Sequence, residues 1–168
     1  MSVRADIRAV RDTDTFKDAL SLLASPLTLV TTADGEGRRW GLTASSVTSA
    51  SLSPPLVMVG IAHTSSCAAA FATASAFVVN VLGEQHQELA RRFATRGIDR
   101  FAGQALATWP GSGLPFVPDA HAAFRCEVAD RLRVGDHEML VGRPTEVLLD
   151  GGTRPLLWHG RAFRTTTS

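Results

Sequence analysis

The sequence predicts a mostly β protein, an antiparallel barrel with a few short helices on its outside. Three observations predict it. Runs of β-branched and apolar residues recur at 27–32, 39–51, 56–61, 76–82, 122–133, 137–149 and 155–165. Turn signals separate them: DGEG at 34–37, Gly135-Asp136, and Asp150-Gly151-Gly152. Helical patterns are short and do not alternate evenly with the strands, which argues against a doubly wound parallel sheet. The 168 residues suit one domain, 1–168, with enough chain to bury a core, and no repeat or linker interrupts it.

Residues 1–12 carry mixed charges and read as a loose arm. Asp12 or Thr13 then caps a helix in which Phe16, Ala19, Leu20 and Leu23 share helical spacing, and Pro26 closes it. LTLVTT at 27–32 and the strand at 39–51 form a hairpin across the DGEG turn, because glycine tolerates the positive φ that hairpins need. Pro54-Pro55 interrupts the ladder, since proline has no N–H to donate. A buried strand follows at 56–61. His63-Thr64-Ser65-Ser66 precedes an alanine-rich segment, which predicts a short helix capped by hydroxyl side chains. AFVVNVL at 76–82 is a second buried strand. Residues 84–95 read as a helix with Leu89 and Phe93 on one face and Gly97 as a stop. Residues 102–120 hold several Gly and Pro residues and little periodicity, so they are expected to form a long irregular loop of the kind that often serves function. The rest of the chain is β.

Composition narrows the classes of function. The formal net charge of +1 gives no reason to expect nucleic acid or an acidic membrane as partner. Two cysteines, Cys67 and Cys126, are too few for a disulfide framework and point to reduced thiols in the cytoplasm. The N-terminal MSVRADIRAVRD lacks an apolar core, so no signal peptide is expected, and no run approaches the ~20 apolar residues of a membrane span. The histidines and cysteines show no metal-ligand spacing. There is no G-x-S-x-G elbow, G-x-G-x-x-G fingerprint or G-K-[ST] phosphate loop.

Three constellations remain. In the strand at 39–51, Thr43, Ser45, Val47, Ser49 and Ser51 face one way and Ala44, Ser46, Thr48 and Ala50 the other, so neither face is plainly apolar. Either this is an edge strand with solvated hydroxyls, or its small side chains let a planar polar ligand lie against bare backbone. An isoalloxazine ring, with acceptors at O2, O4 and N5 and a donor at N3, can pair with such an edge. Ser65 and Ser66 lie at a helix start, where free N–H groups either are simply capped or receive a phosphate. Arg91, Arg92 and Arg100 are either a solvated face or a bidentate complement to that phosphate. Gly135-Asp136-His137 sets a histidine beside an acid in a turn, either solvent-exposed or oriented for a ligand.

In their order and spacing, GLTASSVTSASLSPPLVMVGI, HTSS, FVVNVL, LARRFA, DRF, GDHEMLVG and PLLWHGRAF closely resemble the flavin reductase-like family, from about residue 20 to the C-terminus. These are the small NAD(P)H:flavin oxidoreductases that serve two-component flavin monooxygenases. The resemblance implies an antiparallel, Greek-key-like FMN-binding split barrel, a homodimer, and flavin near the subunit interface. It implies that Thr43, Ala44, Ser45 and Ser46 meet the isoalloxazine, and that Ser65 and Ser66 meet the flavin phosphate. Arg92, Arg100 and Phe101 fall at positions that line the cofactor, and His137 matches a histidine near the nicotinamide. Val47 stands where Phe is common, and Trp158-His159 replaces an aromatic pair that often includes Tyr, which makes Trp158 the candidate stacking partner.

The expected reaction is hydride transfer from NADH or NADPH to FAD or FMN, with reduced flavin passing transiently to a monooxygenase. His137 is the catalytic candidate and no metal is expected. A non-catalytic flavin- or tetrapyrrole-binding carrier or sensor is the alternative, and a scaffold that binds only protein the third reading.

Overall fold

The protein is described from a computed structural model, over residues 9–167; most of the predicted N-terminal arm thus lies outside the described residues. The elements in order are α1 (Thr13–Ser21), β1 (Ser25–Pro26), β2 (Thr28–Ala33), β3 (Arg39–Ala44), β4 (Val47–Leu52), β5 (Pro55–Ala62), α2 (Ala68–Thr73) and β6 (Ala76–Val81). A 3-10 turn (Glu84–His86) leads into α3 (Gln87–Ala94). Then come β7 (Ala107–Thr108), β8 (Pro115–Phe116), β9 (Ala122–Val134), β10 (His137–Leu149), β11 (Leu157–His159) and β12 (Ala162–Arg164).

Seven strands make the main sheet, in the order β3-β2-β6-β9-β10-β5-β4, with every pairing antiparallel. β3 and β4 lie at its opposite edges, yet only Ser45 and Ser46 join them. Laid flat, seven strands would separate those edges by about 29 Å, whereas the link from Ala44 to Val47 reaches about 11 Å at most. The sheet must therefore curl until its edges approach. Because β3 and β4 do not pair, the barrel stays open along that seam.

The curled sheet divides the apolar residues by their period of two. Val30, Ala44, Val59, Ile61, Phe77, Val79, Cys126 and Leu140 point inward from six strands, and Cys67 and Phe71 at α2 join them. Leu29 and Val78 point outward beneath Ala90 and Phe93 of α3 and beneath Trp109, Leu114 and Val117. β2 and β6 are thus covered on both faces. Asn80, fully buried, fastens the outer layer: its amide donates to Leu29 O at 2.8 Å and its oxygen accepts from Val117 N at 2.8 Å. Burial of that side chain is tolerated because both ends are bonded.

Several expectations need correction. Residues 39–51 are two strands, and β4 pairs with β5 rather than continuing the β2–β3 hairpin. The loop at 102–120 carries the small β7–β8 pair. The stretch at 155–165 is a hairpin, β11–β12, turned at Gly160-Arg161, and β11 also pairs with β1. Of the predicted hydroxyl caps on α2, only the Ser65 hydroxyl acts, accepting from Cys67 N at 3.2 Å, while the cap residue Cys67 gives no side-chain bond. At the far end of α2, Arg131 donates to the carbonyls of Phe71 and Ala74. Asp12, rather than Thr13, caps α1 by accepting from Thr15 N at 2.8 Å. The helix ends at Ser21, so Leu23 lies beyond it, and the apolar spacing does not reflect packing within the chain: Phe16, Leu20 and Leu23 are all exposed.

Candidate active site

The site begins at the turn before β3. Asp34 Oδ1 accepts from Glu36 N and Arg38 N at 3.0 and 2.9 Å, and Oδ2 accepts from the Trp40 indole at 2.8 Å. The indole bond, followed by the backbone donors, holds the Asp34 carboxyl below the usual aspartate range. This fixes Arg38, Arg39 and Trp40 against a second wall, the segment 97–101 after α3. That wall is tied back in turn. Arg92 donates to the carbonyls of Arg100 and Asp99 at 2.9 and 2.6 Å, and Arg100 Nε donates to Thr95 O at 2.9 Å.

Between the walls lies a cleft of about 630 Å³, with Ser66 and Cys67 on its third side. Gly41 forms the floor. Its carbonyl accepts from Arg100 at 2.9 Å and from the Cys67 thiol at 3.3 Å. A side chain would not fit here: a Cβ on Gly41 would lie 2.9 Å from Phe93 Cε1. Phe93 in turn meets Phe101 edge-on at 4.9 Å. Three guanidiniums, of Arg38, Arg39 and Arg100, face this space. Among the described residues the one carboxylate lining it, Asp99, is occupied with the N–H groups of Phe101 and Ala102 at 3.0 and 3.2 Å. The cleft therefore carries an excess of positive charge, suited to an anion.

The profile of the flavin reductase-like domain matches residues 20–167. The chain belongs to the flavin reductase-like family. A relative from Streptomyces pristinaespiralis, an NADH:riboflavin 5'-phosphate oxidoreductase, is 52% identical over 90% of this chain and 87% of its own. Among solved structures, the NADH:FAD oxidoreductase of Streptomyces globisporus, in complex with NAD and FAD fragments, superposes with a TM-score of 0.90 at 26% identity, covering 97% of this chain and 98% of that one. The styrene monooxygenase flavin reductase of Pseudomonas putida S12 superposes with a TM-score of 0.82 at 28% identity, over 92% and 98%.

Against this family's cofactor, the donor set fits. β3 and β4 each have one unpaired edge, so the peptide groups around Ser45 and Ser46 lie where two bare edges meet. Of the nearby hydroxyls, that of exposed Ser45 makes no hydrogen bond among the described residues, while those of Thr43 and Ser46 are taken. Thr43 donates to Ala90 O at 2.7 Å, and Ser46 both donates to Gly60 O and accepts from Gly60 N. Ala44 is buried in the inner core. A ring lying here would meet backbone and the Ser45 hydroxyl, with Thr43 and Ser46 shaping the seam from behind.

Of the residues singled out from sequence, the cleft gathers Ser66, Arg100 and Phe101. Ser65 sits just outside and orders the turn before Cys67. Arg92 has its guanidinium committed to backbone and supports the wall from behind. Trp158 lies elsewhere, on β11, half-buried and edge-on to Phe163 at 5.3 Å. His137 opens β10 opposite Ala62, and its Nδ1 lies 2.8 Å from Asp136 Oδ1. That bond, first of several causes, lowers the Asp136 pKa. Ser65 N donates to Ala62 O, so His137 and Ser65 share the same end of β5. Sequence reasoning missed Arg38, Arg39 and Trp40. Their signal was two arginines and an indole placed directly after a turn that must be rigid.

Among the described residues, no group of three or more His, Cys, Asp or Glu is placed to hold a metal ion, and no helix is long and apolar enough to cross a membrane. Both cysteines are free thiols, and burial pushes the Cys126 thiol up to about 12.

Proposed function

We propose that this protein oxidises NADH to reduce free flavin and hands the reduced flavin to a separate oxygenase, as an NAD(P)H:flavin oxidoreductase of a two-component system. The observation that carries the reading is the cationic cleft, in a chain whose family match spans residues 20–167. Bound flavin supplies the hydride acceptor. The chain's own residues bind and orient. Peptide groups around Ser45 and Ser46 hydrogen-bond the polar edge of the ring. Ser66 and Arg100 receive the phosphate, with Ser65 ordering the turn that presents it. Phe101 gives the cleft an aromatic wall. His137, oriented by Asp136, donates a hydrogen bond to the nicotinamide carboxamide and so fixes the ring face from which hydride leaves.

We place the whole chain in one catalytic domain that works as a homodimer in the cytoplasm. Support for the dimer is the set of uncovered apolar side chains, including Phe16 on α1, Leu23 just after it, Leu52 at 91% exposure and Leu149 at 82%. Support for the compartment is the pair of free thiols.

The test is loss of nicotinamide absorbance with FMN, with FAD and with no flavin. Turnover that needs added flavin is the expected result. Flavin binding without turnover would make the protein a carrier, and neither would make it a scaffold.

A further inference from the structure

The cleft holds its three guanidiniums in two different ways. Arg100 is half-buried and fixed by three bonds, to Thr95 O, Gly41 O and Cys67 Sγ, the last at 3.2 Å. With neighbouring Ser66 it forms an inner group around Cys67 and Gly41. Arg38 and Arg39 are exposed and lie at the rim. Each is held by stacking: Arg38 Cζ lies 4.3 Å from the Trp40 ring centroid and Arg39 Cζ 4.7 Å from that of Phe101. Neither side chain makes a hydrogen bond or ion pair among the described residues. A guanidinium held over an aromatic ring without a hydrogen-bond partner keeps N–H groups free for a ligand. By contrast, Arg154 and Arg161, also exposed, are paired with Glu84 and Asp18.

We propose that Arg38 and Arg39 form an outer subsite for the adenosine diphosphate half of a dinucleotide, distinct from the inner seat at Ser66 and Arg100. This rests on the flavin reductase reading and extends it to substrate selection. One phosphate monoester is served by the inner group. Two further guanidiniums at the rim exceed what it needs, but they match a diphosphate, whose charge is spread over two phosphorus centres. Trp40 and the half-exposed Ile98 supply apolar surface beside them for a purine. FAD and NADH both carry this moiety, so the test separates them.

The experiment measures dissociation constants by calorimetry for ADP, FMN, FAD and NADH, with the wild-type protein and with R38A/R39A. ADP binding should weaken at least about tenfold, the scale of lost charge-assisted hydrogen bonds, while FMN changes less than about twofold. FAD, NADH or both should weaken with ADP, and the one that does is the dinucleotide held there. R38K/R39K, which keeps the charge but loses the planar fork, should fall between. Unchanged melting temperatures show that the variants are folded. The proposal is overturned if wild-type protein does not bind ADP, if the double variant binds it equally well, if FMN weakens as much as ADP, or if ADP weakens while neither dinucleotide does. Wild-type turnover of NADH with riboflavin or FMN is measured alongside. Its absence would count against the reductase and leave the binding result standing.

Discussion

The cleft and the corner around His137 are built to different standards. In the cleft, each wall has its own fastening: Asp34 grips the turn and the indole, Arg92 grips residues 99 and 100, and Arg100 grips Gly41 and Cys67. At the corner, His137 has one side-chain partner among the described residues, Asp136, which is itself 92% exposed. The neighbouring His63 and Glu138 stand 3.7 Å apart. Preorganised polar groups raise affinity because no ordering remains to be done on binding. A single oriented imidazole on an open sheet end adds direction but little affinity. Changes in the cleft should therefore appear in stability and flavin binding, and changes at the corner in the nicotinamide step alone.

The sharpest way to break that contrast is at the floor. Gly41→Ala would set its Cβ 2.9 Å from Phe93 Cε1 and 3.2 Å from Thr31 Cγ2. Phe93 is fully buried and cannot swing aside without disturbing Phe101. Urea denaturation should show a loss of about 2 kcal/mol, the usual cost of overpacking, accompanied by weaker flavin binding. A variant as stable and as tight as wild type would mean that the floor is not rigid. Next in size is Arg92→Ala, which frees two carbonyls of the 97–101 wall. About 1–2 kcal/mol of stability should go, and the flavin Kd should rise severalfold with kcat at saturating NADH and flavin unchanged. Arg92→Lys should not rescue it, since an ammonium lacks the fork that spans both carbonyls.

At the corner the expected pattern reverses. His137→Ala should change stability by less than about 0.5 kcal/mol, as for an ordinary partly exposed site. It should leave flavin binding intact and lower kcat/KM for NADH by about tenfold, on the scale of one lost hydrogen bond. Unaltered kinetics would remove His137 from the mechanism.

The same contrast explains what could be read in the sequence. Strand runs, the DGEG turn and the Gly135 turn, where φ is +59°, are local features, and local chemistry reveals them. The break at Ser45-Ser46 was not legible, because no Gly or Pro marks it. It arises where the curling sheet passes from one edge to the other, which is a property of seven strands together. The two-residue strands β7 and β8 are too short to show a period. Of the residues that line the cleft, Ser66 and Arg100 stood out because small hydroxyls and arginines near a helix start suggest an anion, and Phe101 through the family resemblance alone. Arg38 and Arg39 look from sequence like solvated charge beside a turn. Their importance lies in stacking on Trp40 and on Phe101, and the Arg39–Phe101 pair lies sixty-two positions apart in the chain. Arg92 shows what sequence does not reveal about an arginine: its Nε and one NH2 group bond the carbonyls of Arg100 and Asp99.

The smallest effects should come from the two aspartates that orient each region. Asp34 is bonded first to the Trp40 indole and Asp136 first to His137, and both pKa values are lowered as a result. A carboxyl whose folded pKa lies below its unfolded value contributes its stabilisation in full above the unfolded value, and loses it as pH falls through the folded one. At neutral pH both contributions are therefore complete, and they fade only below about pH 4. Asp136 is exposed and Asp34 lies half-buried at the surface, so the loss in global stability should be slight. The loss of orientation can be isolated at neutral pH with Asp34→Asn and Asp136→Asn, which keep the shape and remove the charge. Asp34→Asn should shift the fluorescence of Trp40 and weaken flavin binding about twofold, leaving kcat at saturating NADH and flavin unchanged. Asp136→Asn should do the opposite, with flavin binding unchanged and kcat/KM for NADH lowered about twofold. If either substitution moved both quantities together, the cleft and the corner would be one coupled site, and the division drawn between them would fail.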